Sequence, residues 1–246
     1  FTRAWPVLEA ENAPAIVFLT TGYLDGQPLW FDVARQALAG GVLLRQCLSS
    51  ELASRLATAG VDLAASSVEG TLDQLKTLSE DDRNQVVEAL AEASDSPLPT
   101  TPPLSWKQVR TMQGAGMEMG GHTVSHPILS KLSRTRQEEE ILGCRSRIEE
   151  ETGVAPTVFA YPNGSAADFD STTLSVLAAS GFSTAMTTIR GSNQPGCDPY
   201  RLRRIGIGSD STWLLTARLA GLFDEEVRQR LRQLGRRRGR GPSASV

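Results

Sequence analysis

Histidine is almost absent from this sequence. The 246 residues hold two, and both fall within the heptapeptide "GGHTVSH", as His122 and His126. Cysteine is scarce too: Cys47, Cys144 and Cys197 are odd in number, widely separated and without metal-type spacing, which excludes a disulfide framework and a zinc knuckle. No run of about eighteen or more apolar residues occurs, so the chain as read has no transmembrane segment. Positive charge is not in excess either. The formal net charge of −3 argues against a nucleic-acid partner for the chain as a whole. Basic residues gather only in "RQRLRQLGRRRGRGPSASV". That stretch reads as a solvated, flexible tail over 235–246, with contact to an anionic membrane or polymer as the alternative. Compartment stays open between cell envelope and cytoplasm.

What is present is an ordinary 40% of hydrophobic residues, enough for one large α/β domain or two small ones. The chain opens at Phe1, and a helical pattern through Val7, Leu8 and Ala10 runs directly into the apolar stretch "AIVFLTT", suited to a buried parallel strand. This reads as the interior of a domain. Leu48, Leu52 and Leu56 at four-residue steps, and Leu72, Leu75 and Leu78 at three-residue steps, predict a helical segment with breaks near Gly60 and Gly70. The proline-rich "SDSPLPTTPPLSW" ends it. Next, Ser105 caps a helix facing inward with Val109 and Met112, and "MEMGG" is a short strand. Pro127 suits a first helical turn, and Thr135 with Glu138 makes a capping-box pattern for a helix carrying Ile141, Cys144 and Ile148, closed by Gly153. "TVFAYPNG", a helix through Leu174 and Leu177, "FSTAMTT" and "YRLRRIGIG" continue the alternation. Strands alternating with helices imply a mostly parallel sheet, with chemistry at the strands' carboxyl ends. The organisation is one domain over 1–234 with a helical insertion at about 33–104.

Two imidazoles four residues apart can grip one metal ion, although a hydrolytic metal site normally adds a carboxylate. Gly120 and Gly121 precede the pair, so His122 leaves a strand end while His126 begins a helix, and both converge above the sheet. The alternative is a capping role for His122 and a packed, hydrogen-bonded His126. In "FAYPNG", Pro162 and Gly164 flank Asn163 in a rigid turn whose backbone N–H groups can face a ligand.

Together these residues resemble the polysaccharide deacetylase family, carbohydrate esterase family four, over nearly the whole chain. Four stretches carry the likeness. "PVLEAENAPAIVFLTTGYLDGQPLWFD" resembles the family's first helix and second strand, and "LSWKQVRTMQGAGMEMGGHTVSHPILSKLS" its histidine motif. "FAYPNG" is similar to the third motif of the branch acting in surface-polysaccharide pathways, and "GFSTAMTTIRGSNQPGCDPYRLRRIGI" to that branch's closing strands. The resemblance implies a distorted (β/α) barrel, here without its first strand and with the helical insertion. It also implies a divalent metal, usually zinc, on His122 and His126, with hydrolysis of N-acetyl groups from a polysaccharide or oligosaccharide. Asn163 is then expected to stabilise the developing oxyanion through its backbone N–H, and Tyr161 and Pro162 to line the substrate. The other function classes weighed are a metal-dependent amidase on a small non-sugar amide and a non-catalytic carbohydrate-binding or scaffold domain.

The sequence departs from the family in three ways. The Asp-Asp motif that supplies the third ligand and the general base is absent, so both carboxylates are expected upstream of Phe1 and the chain as given is expected to be inactive. Asp81 and Asp82 read as a solvated helix start, and Asp25 and Asp32 as nearer candidates for substrate contact. Ala160 stands where the third motif usually has an arginine, and Arg204 in "RLRRIGI" is the candidate replacement. The family's catalytic-acid histidine has no counterpart, because no third histidine exists.

Overall fold

The computed structural model describes residues 1–62, 67–94, 104–208 and 211–221. Five strands form one sheet in the order β1-β2-β3-β4-β5, and every neighbouring pair is parallel. They are β1 (Ile16–Leu19), β2 (Glu118–Gly121), β3 (Val158–Ala160), β4 (Thr184–Arg190) and β5 (Leu202–Arg204). Chain order equals spatial order, as it does along the wall of a (β/α) barrel. A parallel pair needs a long crossover, and helices supply most of them.

Helix α1 (Ala4–Ala10) precedes β1 and buries Trp5. Between β1 and β2 the chain runs through α2 (Thr21–Leu24), α3 (Trp30–Ala39), α4 (Leu44–Cys47), α5 (Ser50–Thr58), α6 (Val68–Leu75) and α7 (Glu80–Glu92) before α8 (Trp106–Gly114). Helices α3 to α7 share a hydrophobic cluster of their own, with Ala34, Leu56, Leu75, Val86 and Leu90 fully buried. Leu52, Leu56, Leu72, Leu75 and Leu78 all point into it, as their spacing predicts. Gly70 lies near a helix boundary, in the first turn of α6, where the Ser67 hydroxyl accepts from its N–H and a Cβ would meet that oxygen at 2.6 Å. Most of the proline-rich connector and all of 235–246 lie outside the described residues.

After β2 the structure departs from the helix expected at Pro127. Only a 3-10 turn, Leu129–Lys131, intervenes, and α9 (Arg134–Thr152) begins later. Its cap is Ser133, whose hydroxyl accepts from Arg136 N–H, so the Thr135–Glu138 capping box does not form. Gly153 ends α9 at φ 73, a left-handed conformation that an L side chain disfavours. Ile141 of α9 joins the cluster around β3, β4 and α10 (Ser171–Ala179), while Cys144 and Ile148 join the one around β1, β2 and α8. One helix thereby ties both halves of the sheet together. Helix α11 (Thr212–Leu219) follows β5.

Candidate active site

The double glycine before His122 has a steric cause. A Cβ on Gly120 would stand 2.5 Å from the Phe18 ring, and one on Gly121 would stand 3.0 Å from Phe182 and 3.1 Å from Phe159. Strand β2 therefore passes between aromatic rings with no room for a side chain. His122 N–H then donates to Leu19 O at 3.0 Å, extending the β1–β2 ladder to the point where the histidine leaves the sheet.

Residues 122–126 form a tight loop and not a helix start. Thr123 has φ 66 and His126 φ 61, so two non-glycine residues hold left-handed conformations. Such strain persists only where surrounding contacts over-determine the backbone. Those contacts come from three sides. Thr21 N–H donates to Thr123 O at 3.2 Å and Gly22 N–H to Val124 O at 2.9 Å. Thr123 Oγ accepts from His126 N–H at 3.0 Å. Glu140 of α9, 3% exposed, accepts from Val124 N–H at 2.8 Å and Ser125 N–H at 2.9 Å, and from Ser125 Oγ at 2.6 Å. Glu140 was not singled out by sequence, yet a signal existed: helical spacing puts this carboxylate on the same face as Ile141, Cys144 and Ile148.

The loop brings the two imidazoles face to edge, with ring centroids 4.7 Å apart. His122 Nδ1 lies 2.6 Å from Ala160 O, which fixes Nδ1 as the donor and leaves Nε2 with its lone pair. Burial lowers the His122 pKa against the opposing effect of that hydrogen bond, and Arg204 lowers it further. Burial, and then the neighbouring His122, push His126 down to about 3. Both rings are thus neutral near pH 7, the form that ligates a metal. His126 Nδ1 is buried with no partner among the described residues. The chemistry of this pair fits a divalent ion with two nitrogen donors, but no group of three His, Cys, Asp or Glu ligands exists among the described residues.

The turn after β3 holds Asn163 at φ 57, with its carbonyl accepting from Thr188 Oγ at 2.7 Å. Its side-chain Nδ2 is buried without a partner among the described residues. Tyr161, expected at the substrate, is fully buried instead. Its ring stacks on Phe169 at 4.1 Å and its hydroxyl donates to Tyr200 O at 2.7 Å, so this side chain packs the core. Pro162 is buried beside it. Arg204 is half-buried and donates through Nε to Thr187 O. Among the described residues no carboxylate pairs with it, and burial lowers its pKa. Asp25 is exposed but already paired: Arg147 grips it at 2.8 and 2.9 Å and Trp106 Nε1 donates to it at 2.7 Å. Asp32 pairs with Arg35 at 3.4 Å. Asp81 and Asp82 stand in the first turn of α7, capped by Ser79.

A sequential parallel sheet with two facing, half-buried imidazoles beyond its carboxyl edge defines an α/β chain whose chemistry belongs at the strand ends. The polysaccharide deacetylase sequence profile matches residues 1–185, and the chain belongs to that family. A 74-residue stretch is 35% identical to the uncharacterized protein YlxY of Bacillus subtilis (strain 168), covering 30% of this chain and 22% of that protein. Among solved structures, the de-N-acetylase of Aggregatibacter actinomycetemcomitans superposes with TM-score 0.53 at 15% identity, over 89% of this chain and 70% of that one. IcaB of Ammonifex degensii gives 0.51 at 19% identity over 88% and 66%. The BpsB deacetylase domain of Bordetella bronchiseptica gives 0.51 at 18% over 83% and 65%. At these identities the likeness is one of fold.

Proposed function

We propose that this chain carries the histidine side of a metal-dependent deacetylase centre that hydrolyses N-acetyl groups on a polysaccharide or oligosaccharide. The observation that carries the reading is the pair of neutral imidazoles 4.7 Å apart, with His122 oriented by Ala160 O. Family membership and the deacetylase fold support it. His122 Nε2 and a ring nitrogen of His126 would hold the ion, zinc first among the candidates. When bound, it supplies Lewis acidity and a water whose pKa falls to about 7. Asn163 offers its backbone N–H to the acetyl oxygen as negative charge develops there, a contribution of about 3 kcal/mol in comparable oxyanion sites. Arg204, which has no carboxylate partner among the described residues and is anchored through Nε to Thr187 O, would orient a carboxylate. That carboxylate, as third ligand or general base, is supplied from outside the described residues.

The test is acetate release from an N-acetylated glucosamine oligomer by the full-length protein loaded with zinc. Release that stops with a chelator, and in His122→Ala and His126→Ala, is the expected result. Undiminished release in both variants would remove the assignment. The lack of a three-ligand group among the described residues favours one other reading, a carbohydrate-binding domain without catalysis. It predicts oligomer binding, with or without chelator, and no acetate.

A further inference from the structure

Helix α11 turns an uncharged face to solvent. None of its residues is buried, and its exposed positions, with the C-cap, are Thr212, Trp213, Thr216, Leu219 and Ala220. At about 3.6 residues per turn these five share about a third of the circumference. Trp213 is 70% exposed and Leu219 61%, and Ile207, in the segment leading to the helix, is 67% exposed. Arg218, the charged residue of the helix, lies on the opposite side, where its Nη1 donates to Gly206 O at 2.8 Å. Thr216 Oγ donates to Thr212 O at 2.9 Å, so this hydroxyl is already satisfied on its own helix. A helix that faces only water carries its charges outward and its apolar side inward, and α11 reverses that order. Large apolar side chains grouped on one exposed face mark a docking surface.

The sequence that follows the helix supplies the charge of the partner. Past the acidic step at 224–226, residues 228–240 hold seven arginines, and 227–246 hold no acidic residue. These positions lie outside the described residues; what they contribute is positive charge close in sequence to Leu219. A bilayer with anionic headgroups meets both requirements, offering an apolar boundary to the tryptophan and leucine and negative charge to the arginines. Tryptophan also favours the headgroup level of a membrane. A nucleic acid would meet the arginines and leave the uncharged face without a role. A second copy of the chain would cover the face while bringing two sets of arginines together. We propose that α11 is a membrane-surface docking element: Trp213, Leu219 and Ile207 enter the boundary of an anionic bilayer, and the arginines of 228–240 hold the same surface by charge. The helix lies on the bilayer without crossing it. Docking of this kind needs no catalysis, and none of the residues placed at the histidine site belongs to α11.

Co-sedimentation of the full-length protein with large vesicles tests this, using phosphatidylcholine alone and phosphatidylcholine mixed with anionic phosphatidylglycerol. Wild type is expected to bind the mixed vesicles at low salt, to bind the neutral ones about 10-fold or more weakly, and to lose affinity as salt rises. Trp213→Ala combined with Leu219→Ala should weaken binding by about 10-fold at every salt concentration, because the lost term is apolar burial. Arg236→Gln, Arg237→Gln and Arg238→Gln together should weaken it by about 100-fold at low salt and flatten the salt dependence. Val154→Ala is the control, since Val154 is 59% exposed just after α9, and it should bind as wild type does. Thermal unfolding checks that each variant is folded. Absence of binding to the mixed vesicles, or binding that the Trp213 and Leu219 changes leave intact, overturns the docking element. Binding of a single-stranded RNA oligomer in place of vesicles assigns the arginines to nucleic acid and overturns it too. A dimer in sedimentation velocity that the Trp213 and Leu219 changes abolish, without vesicle binding, gives the face to a second copy and has the same consequence.

Discussion

At the scale of single residues, Glu140 does for the histidine loop what no residue within the loop can do. Three hydrogen bonds converge on one carboxylate that is 3% exposed, and the backbone they hold contains two left-handed non-glycine residues. Removing the side chain leaves two N–H groups in a largely closed space, each costing about 1–3 kcal/mol. Glu140→Ala should therefore destabilise the protein by about 2–4 kcal/mol in urea unfolding and weaken zinc binding by about 10- to 100-fold, as outer groups around metal ligands do. Glu140→Gln, which keeps the shape and one acceptor oxygen, should recover most of the stability. An alanine variant as stable as wild type would mean that the loop holds itself. Gly121 gives a second test, because its Cβ would be caught between Phe159 and Phe182. Overpacking there should cost Gly121→Ala about 1–3 kcal/mol, measured in the same way. No cost would mean that the rings can move apart freely.

At the scale of elements, α9 is the part that joins the site to the scaffold. Its Arg147 holds Asp25 from the turn after α2, and Trp106 at the start of α8 donates to the same carboxylate. Arg147 lowers the Asp25 pKa below 3.8, with Trp106 adding to the effect. A carboxylate with a depressed folded pKa contributes stability that is present above its unfolded value and lost as pH falls through the folded value. With both side chains about one-third exposed, solvent screening limits the contribution to about 1 kcal/mol. Asp25→Asn should be less stable than wild type by about that amount at pH 7, and the difference should disappear in acid as pH falls through the lowered folded value. A difference that persists unchanged in acid would place its cause in packing instead of charge.

The same scale shows what the sequence made legible. Strand β1, the Ser105 cap of α8, the inward face of α9 and the leucine steps of the helical segment follow from local sequence signals, and the structure shows each of them. The 122–133 stretch does not follow, because Pro127 and Thr135 carry ordinary helix signals that local reasoning has no means to overrule. The backbone there is set by Glu140, Thr21 and Gly22, which are distant in sequence or sit on another element. Tyr161 is a parallel case. A tyrosine beside a Pro-Asn-Gly turn suggests a ligand contact, and only tertiary packing shows it stacked on Phe169. Asp25 is a third case, since its partner Arg147 lies 122 residues away and no local pattern links the two.

At the scale of the whole molecule, a parallel sheet presents two neutral histidines beyond its carboxyl edge, and a helical layer with its own core packs α3 beside them. Among the described residues no helix is long and apolar enough to cross a membrane. The family is settled by the match over residues 1–185; the central claim left to test is that His122 and His126 together hold a metal ion. Zinc titration of the metal-free protein, followed by calorimetry and by elemental analysis after dialysis, tests that claim most directly. The account predicts one bound zinc for the wild type, and loss of that binding in His122→Ala and in His126→Ala while each variant remains folded. Equal zinc content in all three proteins would contradict it.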